Sequence, residues 1–434
     1  MKIEQLYEIY LQHPIITTDS RDCPADSIFF ALKGASFNGN LYAASALEKG
    51  CAYAVVEKEY ALEGDERYIA TENPEQTLQE LAAYHRQQLS IPVLQITGTN
   101  GKTTTKELVA CILSEKYNVL FTQGNLNNHL GVPRTLLRIG KEHDIAVIET
   151  GANHPGEIAF LCNMVKANYG MITNVGRAHL EGFGSFQGVK KTKGELYDDL
   201  QQRKATIFLN ALDEDLLKMA EERGFHLYDN AIPYIEGCIE SCNPFVRMRW
   251  RNEDDAPWHT IQTHLIGVYN ISNLRAAITV GVHFGVTPEQ VCHAIENYIP
   301  SNSRSEFRNT GKNSLIIDAY NANPSSMIAA LTNFQFIDSK HKMVILGDMR
   351  ELGADSELEH RKVMDALAGM PLEEVWLVGE NFASLNYPNK RITPKYFKDV
   401  EEVKKEITAH PLTNKTILIK GSNGTKLFQL PEYL

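Results

Sequence analysis

The stretch VLQITGTNGKTTTKELVACIL, Val93 to Leu113, decides how the rest of the chain is read. It begins as a short β-type segment, VLQIT, and turns through two glycines and an asparagine. It then enters KTTTKELVACIL, where Leu108, Val109, Ile112 and Leu113 recur at helical spacing. Strand, glycine loop and helix come in the order that turns loop N–H groups and a helix N-terminus towards a phosphate. The pattern G-x-x-x-x-G-K-[ST] is only partly met. Gly101, Lys102 and Thr103 close it, but Ile96 stands where its first glycine belongs. Gly98 and Gly101 suit positive φ and a tight turn. Lys102 would reach the outer phosphates, and Thr103 would offer its hydroxyl to Mg²⁺. The competing reading is a glycine turn that merely opens a helix.

Working outward, the loop opens a series in which apolar strands alternate with helices. The strands are expected at Val93–Thr97, Val119–Thr122, Ala146–Glu149, Met171–Asn174 and Thr206–Leu209. Such alternation predicts a mostly parallel, doubly wound sheet. A polar stretch with β character, roughly 225 to 265, interrupts before the helix NISNLRAAITVGVHFG. NYIPSNSRSEFRNTGKN reads as a linker, and a second α/β series comes after it with strands at SLIID, KMVILG, EVWLVG and TILIK. Before residue 87, DSIFFALKG and CAYAVVEKEY read as strands and NLYAASALEKG as a helix. The expected fold is therefore α/β in three domains. A small N-terminal α/β domain covers 1–86, a central domain of P-loop type covers 87–298, and a Rossmann-like α/β domain covers 299–434.

The bulk properties agree. A chain of 434 residues suggests about three domains, and 43% hydrophobic residues can fill their cores. A net charge of −11 argues against non-specific nucleic-acid binding. No apolar run approaches the ~20 residues needed to span a bilayer, so no membrane insertion is expected. Seven scattered cysteines, with only Cys238 and Cys242 close together, point to a reducing cytoplasm, with neither disulfides nor structural zinc.

Several side chains stand where ligands meet open α/β sheets, beyond the carboxyl ends of strands. Glu149 ends IAVIE and suits Mg²⁺, or else caps the next helix. Asn174 and His179 come after the next strand, and Asp318 ends SLIID before a run of asparagines that could simply cap a helix. In SFQGVKKTKGELYDDL, Phe186, Val189, Leu196, Tyr197 and Leu200 form one apolar stripe at 100° per residue. Lys193 falls at its centre, Lys190 on its shoulder, and Lys191 points away. Burying an ammonium favours the neutral amine, which can add CO₂ to give a carbamate. From periodicity alone, a buried ion pair or snorkelling is the better explanation of the position.

Together these motifs resemble the Mur ligase family, ATP-dependent amide ligases of peptidoglycan synthesis. TGTNGKTTT is similar to that family's phosphate loop, which lacks the first glycine in the same way. AHLEGFGSFQGVKKTKGELY resembles the segment carrying its metal-binding His and carbamylated Lys, which fall on His179 and Lys193. The resemblance runs from TDSR near residue 18 to KGSNGT near 420. GNLNNHLGVPRTLL, IIDAYNANPSSM and ILGDMRELG point within the family to addition of D-alanyl-D-alanine. A DNPR-like motif, typical of the relative that adds diaminopimelate or lysine, is absent, and YNANP stands in place of its YAHTP.

The resemblance implies ATP, two Mg²⁺ ions and a lysine carbamate on Lys193 as cofactors. The implied partners are UDP-N-acetylmuramoyl-tripeptide and D-alanyl-D-alanine, acting on a cytoplasmic monomer. It implies an ATP site of Gly98, Thr99, Asn100, Gly101, Lys102, Thr103, Thr104, Asn270, Asn273, Arg304, Asp318 and Asn321. Ser20, Arg21, Asn125, Asn127 and Asn128 would meet the UDP-substrate, and Thr103, Glu149, His179 and Lys193 the metals. Lys102, His179 and Lys193 would be catalytic. Two departures stand out. GVYN puts Tyr269 where the family has a histidine, and GASFNGN, Gly34 to Asn40, replaces the usual G-x-x-x-D-G-H. Other ligases of this architecture, such as folylpolyglutamate synthetase or the enzyme adding the third peptide residue, remain alternatives. A guanine-nucleotide switch is poorly supported, because FLNALDED offers Asn210 and Asp213 but Ala211 replaces the lysine of N-K-x-D.

Overall fold

The computed structural model describes residues 1–300, 304–385, 387 and 391–434. The first sheet is four-stranded and parallel, with β1 (Ile16–Thr17), β2 (Ile28–Phe30), β3 (Tyr53–Glu57) and β4 (Tyr68–Thr71) in sequential order. The helix Pro74–Gln87 ties this sheet to the central region. From that helix His85 Nε2 meets Ile139 O at 2.8 Å, and Arg86 Nε donates to Val165 O.

The second sheet is six-stranded, parallel and doubly wound. It comprises β5 (Val93–Thr97), β6 (Val119–Phe121), β7 (Ile145–Glu149), β8 (Tyr169–Ile172), β9 (Thr206–Leu209) and β10 (Ala231–Pro233), in the order β10-β9-β8-β5-β7-β6. Its strands are buried on both faces, which is why they read as continuous apolar runs. Along β7, Ile145 and Val147 enter one hydrophobic cluster while Ala146 and Ile148 enter the other. The chain reverses direction about β5, so the ends of β7, β5 and β8 form the crevice where such sheets bind ligands.

The polar stretch after β10 is a three-stranded antiparallel sheet of β11 (Glu236–Cys242), β12 (Phe245–Arg251) and β13 (His259–Ile266). Burial alternates along β12, as expected of a sheet with one wet face. The helix Asn270–His283 then packs on the phosphate-loop helix Lys102–Ser114.

The fourth sheet has the order β14-β15-β19-β16-β17-β18, formed by β14 (Glu306–Asn309), β15 (Ser314–Asp318), β16 (Lys342–Gly347), β17 (Glu374–Val378), β18 (Lys395–Phe397) and β19 (Thr416–Lys420). Only β14 is antiparallel. Every strand of the second α/β series expected from sequence is present; β14 and β18 are additions too short and too polar to stand out. Part of the expected linker, 301–303, lies outside the described residues.

Candidate active site

The second and fourth sheets present their carboxyl ends to a shared cavity of about 900 Å³. On one wall the phosphate loop leaves β5 at Thr97 and enters its helix at Lys102. Gly98 has φ +144° and Gly101 φ +78°. A Cβ at Gly98 would lie 2.0 Å from Thr173 Oγ1, and one at Gly101 2.4 Å from Asn273 Oδ1, so both positions demand glycine. Asn174 braces the loop in both directions: Asn100 N donates to its Oδ1, and its Nδ2 donates to Asn100 O. Lys102 Nζ donates to Gly98 O and Thr99 O, and burial lowers its pKa. Thr99, Asn100, Gly101, Lys102 and Thr104 line the cavity.

Thr103 lies beneath them. Its Oγ1 is buried without a hydrogen-bond partner, and so is Glu149 Oε2 at the end of β7. The other oxygen of Glu149 accepts from Asn127 Nδ2 at 2.7 Å. Orphaned buried oxygens are rare in native proteins, and a hydroxyl in the first turn of the loop helix beside a carboxylate at the end of the neighbouring strand suits a hard divalent cation. The residues therefore fit Mg²⁺. Among the described residues no cluster of three His, Cys, Asp or Glu comes together. A complete coordination sphere would thus draw on the Thr103 hydroxyl and on oxygens from outside the chain.

His179, at φ +51°, lines the cavity. Its Nδ1 pairs with Glu351 of the fourth-sheet region, and among the described residues Nε2 has no hydrogen bond. Burial lowers its pKa, with Glu351 opposing. Lys193 sits on the helix Phe186–Gln202 as the apolar stripe requires, 2% exposed. Among the described residues its Nζ has no hydrogen bond or ion pair, only the Phe183 ring with its centroid 5.5 Å away. The ion pair that could have explained this position is not formed among the described residues. Burial, reinforced by the Lys102 ammonium, brings its pKa down from 10.5 to about 7.

The opposite wall belongs to the fourth sheet. Asp318 and Lys420 are cross-strand neighbours on β15 and β19, and Lys420 Nζ donates to the Asp318 carboxylate and to Asn321 O. Lys420 is 1% exposed and lines the cavity with Asp318 and Asn321. Arg304 stacks on Tyr320 at 3.8 Å. Tyr269 and Ser305 join hydroxyls at 2.9 Å, and burial raises the phenol's pKa. Asn270 and Asn273 also line the cavity; Asn273 Nδ2 donates to Asn270 Oδ1, and Asn273 Oδ1 accepts from Thr105. Asn323 was missed from sequence. It caps the helix Pro324–Gln335 and donates through Nδ2 to Asn100 Oδ1 at 2.8 Å, joining the two walls.

Asn125, Asn127 and Asn128 line the cavity, but the Asn128 oxygen is spent on the N–H groups of Leu130 and Gly131. Ser20 and Arg21 stand apart, in the loop after β1. Arg21 pairs with Asp19 at 2.8 Å, holding that carboxyl far below its usual range, and Ser20 O accepts from Lys49. Asn40, in the altered 34–40 stretch, is buried and accepts from Glu57 N. Asn210 and Asp213 do not form a base-reading pair: Asn210 donates to Ser272, and Asp213 caps the helix Glu214–Glu221.

Three family models match the chain: the Mur ligase family catalytic domain over 14–95, the Mur ligase middle domain over 96–281, and the Mur ligase glutamate ligase domain over 303–423. The chain belongs to the Mur ligase family. Within that family, it is 32% identical to "UDP-N-acetylmuramoyl-tripeptide--D-alanyl-D-alanine ligase" of Escherichia coli, over 95% of this chain and 91% of the relative. The Haemophilus influenzae enzyme of the same name is 33% identical, over 89% and 85%. A crystal structure of MurF from Acinetobacter baumannii superposes with a TM-score of 0.86 at 28% identity, covering 99% of this chain and 98% of that one.

Proposed function

We propose that the chain joins D-alanyl-D-alanine to UDP-N-acetylmuramoyl-tripeptide at the expense of ATP, in the synthesis of peptidoglycan precursors. The observation that carries this is the shared cavity, with a phosphate loop on one wall and the Asp318–Lys420 pair on the other. The relatives' names supply the substrates; the third-residue-adding and folylpolyglutamate alternatives are not favoured.

The chemistry is governed by charge. A carboxylate and ATP repel each other, and a carboxylate oxygen is a poor leaving group. Transfer of the γ-phosphoryl to the tripeptide carboxylate gives an acyl phosphate and ADP. The dipeptide amine then attacks the acyl carbon, loses a proton, and expels phosphate with the electrons of the C–O bond. Phosphoryl transfer of this kind depends on alignment and charge neutralisation. In our reading Gly98–Thr104 cradle the phosphates and Lys102 neutralises the β/γ oxygens. Asn270 and Asn273 flank the base, and Arg304, Asp318 and Asn321 meet the nucleotide from across the cleft.

Thr103 and Glu149 would hold one Mg²⁺, and His179 Nε2 with a carbamate on Lys193 a second. Bound there, the metal would supply charge neutralisation between carboxylate and γ-phosphate. The carbamate reading rests on a buried amine with a lowered pKa, the form that adds CO₂. Asn125 and Asn127, with Asn128 as a backbone anchor, and the outlying Ser20 and Arg21, face the UDP-substrate. The units proposed are 1–86, 87–298 and 299–434, in a cytoplasmic monomer. Among the described residues no helix is long and apolar enough to cross a membrane.

The test is ADP release. UDP-N-acetylmuramoyl-tripeptide with D-alanyl-D-alanine should trigger it, and folate with glutamate should not. The reverse preference would overturn the assignment.

A further inference from the structure

Lys106 lies one helical turn beyond Thr103, and nothing in the reaction above uses it. Its side chain is completely buried, and among the described residues Nζ has no hydrogen bond. Two carboxylates flank it, Glu107 Oε1 at 3.7 Å and Glu149 Oε2 at 4.0 Å, with the Phe121 ring centroid 5.7 Å away. Glu149 is equally enclosed, at 1% exposure, and Oε2 is its unpartnered oxygen. Lys102 feels the Glu149 charge from farther off, but forms no ion pair with it among the described residues, and its ammonium is bonded to its own loop. An enclosed carboxylate and an enclosed ammonium each cost folding energy unless the other is present.

We propose that Lys106 is a positioning residue, the resident counter-ion of Glu149 in the metal-free enzyme, which a divalent cation at Thr103–Glu149 supplants. Two carboxylates within reach make the exchange possible: when a cation takes Glu149, Glu107 keeps the ammonium compensated. The site then never holds an isolated buried charge, loaded or empty. Lys106 also sets how tightly the cation binds, since a positive charge 4.0 Å from the ligand oxygen opposes its arrival. The metal half of this proposal rests on reading Glu149 as a ligand; the counter-ion half does not.

The test is a double-mutant cycle on the full-length enzyme, melted in EDTA. K106M and E149Q should each melt below wild type, and K106M/E149Q should melt above both. Strictly additive losses would overturn the pairing. Should K106M fail to fold, E149Q against the double variant decides alone, because pairing requires the double variant to melt higher. Calorimetric titration with Mg²⁺ and no nucleotide provides the second readout. K106M should bind Mg²⁺ about tenfold more tightly than wild type, and equal affinity would overturn the displacement. E149Q separates the two readings: if it binds Mg²⁺ like wild type, Glu149 is not a ligand, whatever the melting cycle says.

Discussion

The two walls of the cavity solve the burial of charge in opposite ways. On the fourth-sheet wall charges are mated within the chain: Lys420 with Asp318, and Arg304 on Tyr320. In the central region, among the described residues, Thr103 Oγ1 and Glu149 Oε2 lack hydrogen-bond partners, and Lys193, behind the cavity lining, has only an aromatic ring. An unpartnered buried polar group is costly, so on the proposed function the central wall gives up stability to stay ready for phosphate and metal. The other wall arrives assembled. Substitutions of Lys102 and Lys193 should therefore remove chemistry and spare the fold, with Glu149 and Lys106, a mutually compensating pair of the central region, as the exception, while substitutions opposite should weaken the fold.

The hardest blow to that contrast would come from Lys102→Ala. ADP formation should fall by about 10³-fold, the scale of losing one preorganised charge-stabilising group, with an unchanged circular dichroism spectrum. Near-normal ADP release would remove Lys102 from the reaction. Lys193→Ala should likewise abolish turnover, and short carboxylates such as acetate should restore part of it; activity without any rescue agent would end the carbamate reading. Across the cavity, Asp318→Asn should cost about 3 kcal/mol in denaturant unfolding by stranding the Lys420 ammonium. If its midpoint stays put, the assembled wall is not held by that pair.

The contrast also has a pH signature. Between about 7, the Lys193 value in the folded chain, and its ordinary 10.5, the unfolded chain binds more protons than the native one. Stability from this group therefore rises with pH across that window, and its full penalty applies below it. In CO₂-free buffer Lys193→Met should melt several degrees above wild type at neutral pH, with the gap closing towards pH 10.5. A gap independent of pH would mean that the amine is not the cause. Tyr269→Phe, which removes only the hydroxyl bond to Ser305, should cost the least, about 0.5–1.5 kcal/mol in the same unfolding assay.

The sequence carried the central wall further than its partner. The loop glycines and the Lys193 stripe are local patterns, and a helical period of 100° is enough to point a lysine inwards. Asp318 could be placed at a strand end, but its pairing with Lys420 joins strands 102 residues apart through sheet order, which no local pattern encodes. Asn323 read as an ordinary helix cap, and its second bond needs the position of the other wall. Nothing in the local sequence sets Lys106 apart from other polar residues early in a helix. Its burial appears only once the helix Asn270–His283 and β7 are packed around it. Ser20 and Arg21 were legible as a motif, yet their distance from the cavity lining is set by the placement of the whole first sheet.

The bond from Asn323 to Asn100 makes the cap of one helix part of the phosphate loop of another region. A cap has little slack: its oxygen is held by Ser326 N while its nitrogen reaches across the cleft. The loop is therefore mechanically in series with the fourth sheet. Departure of that sheet would pull on Asn100 or release it, so any parting of the two walls would be felt at the phosphate loop.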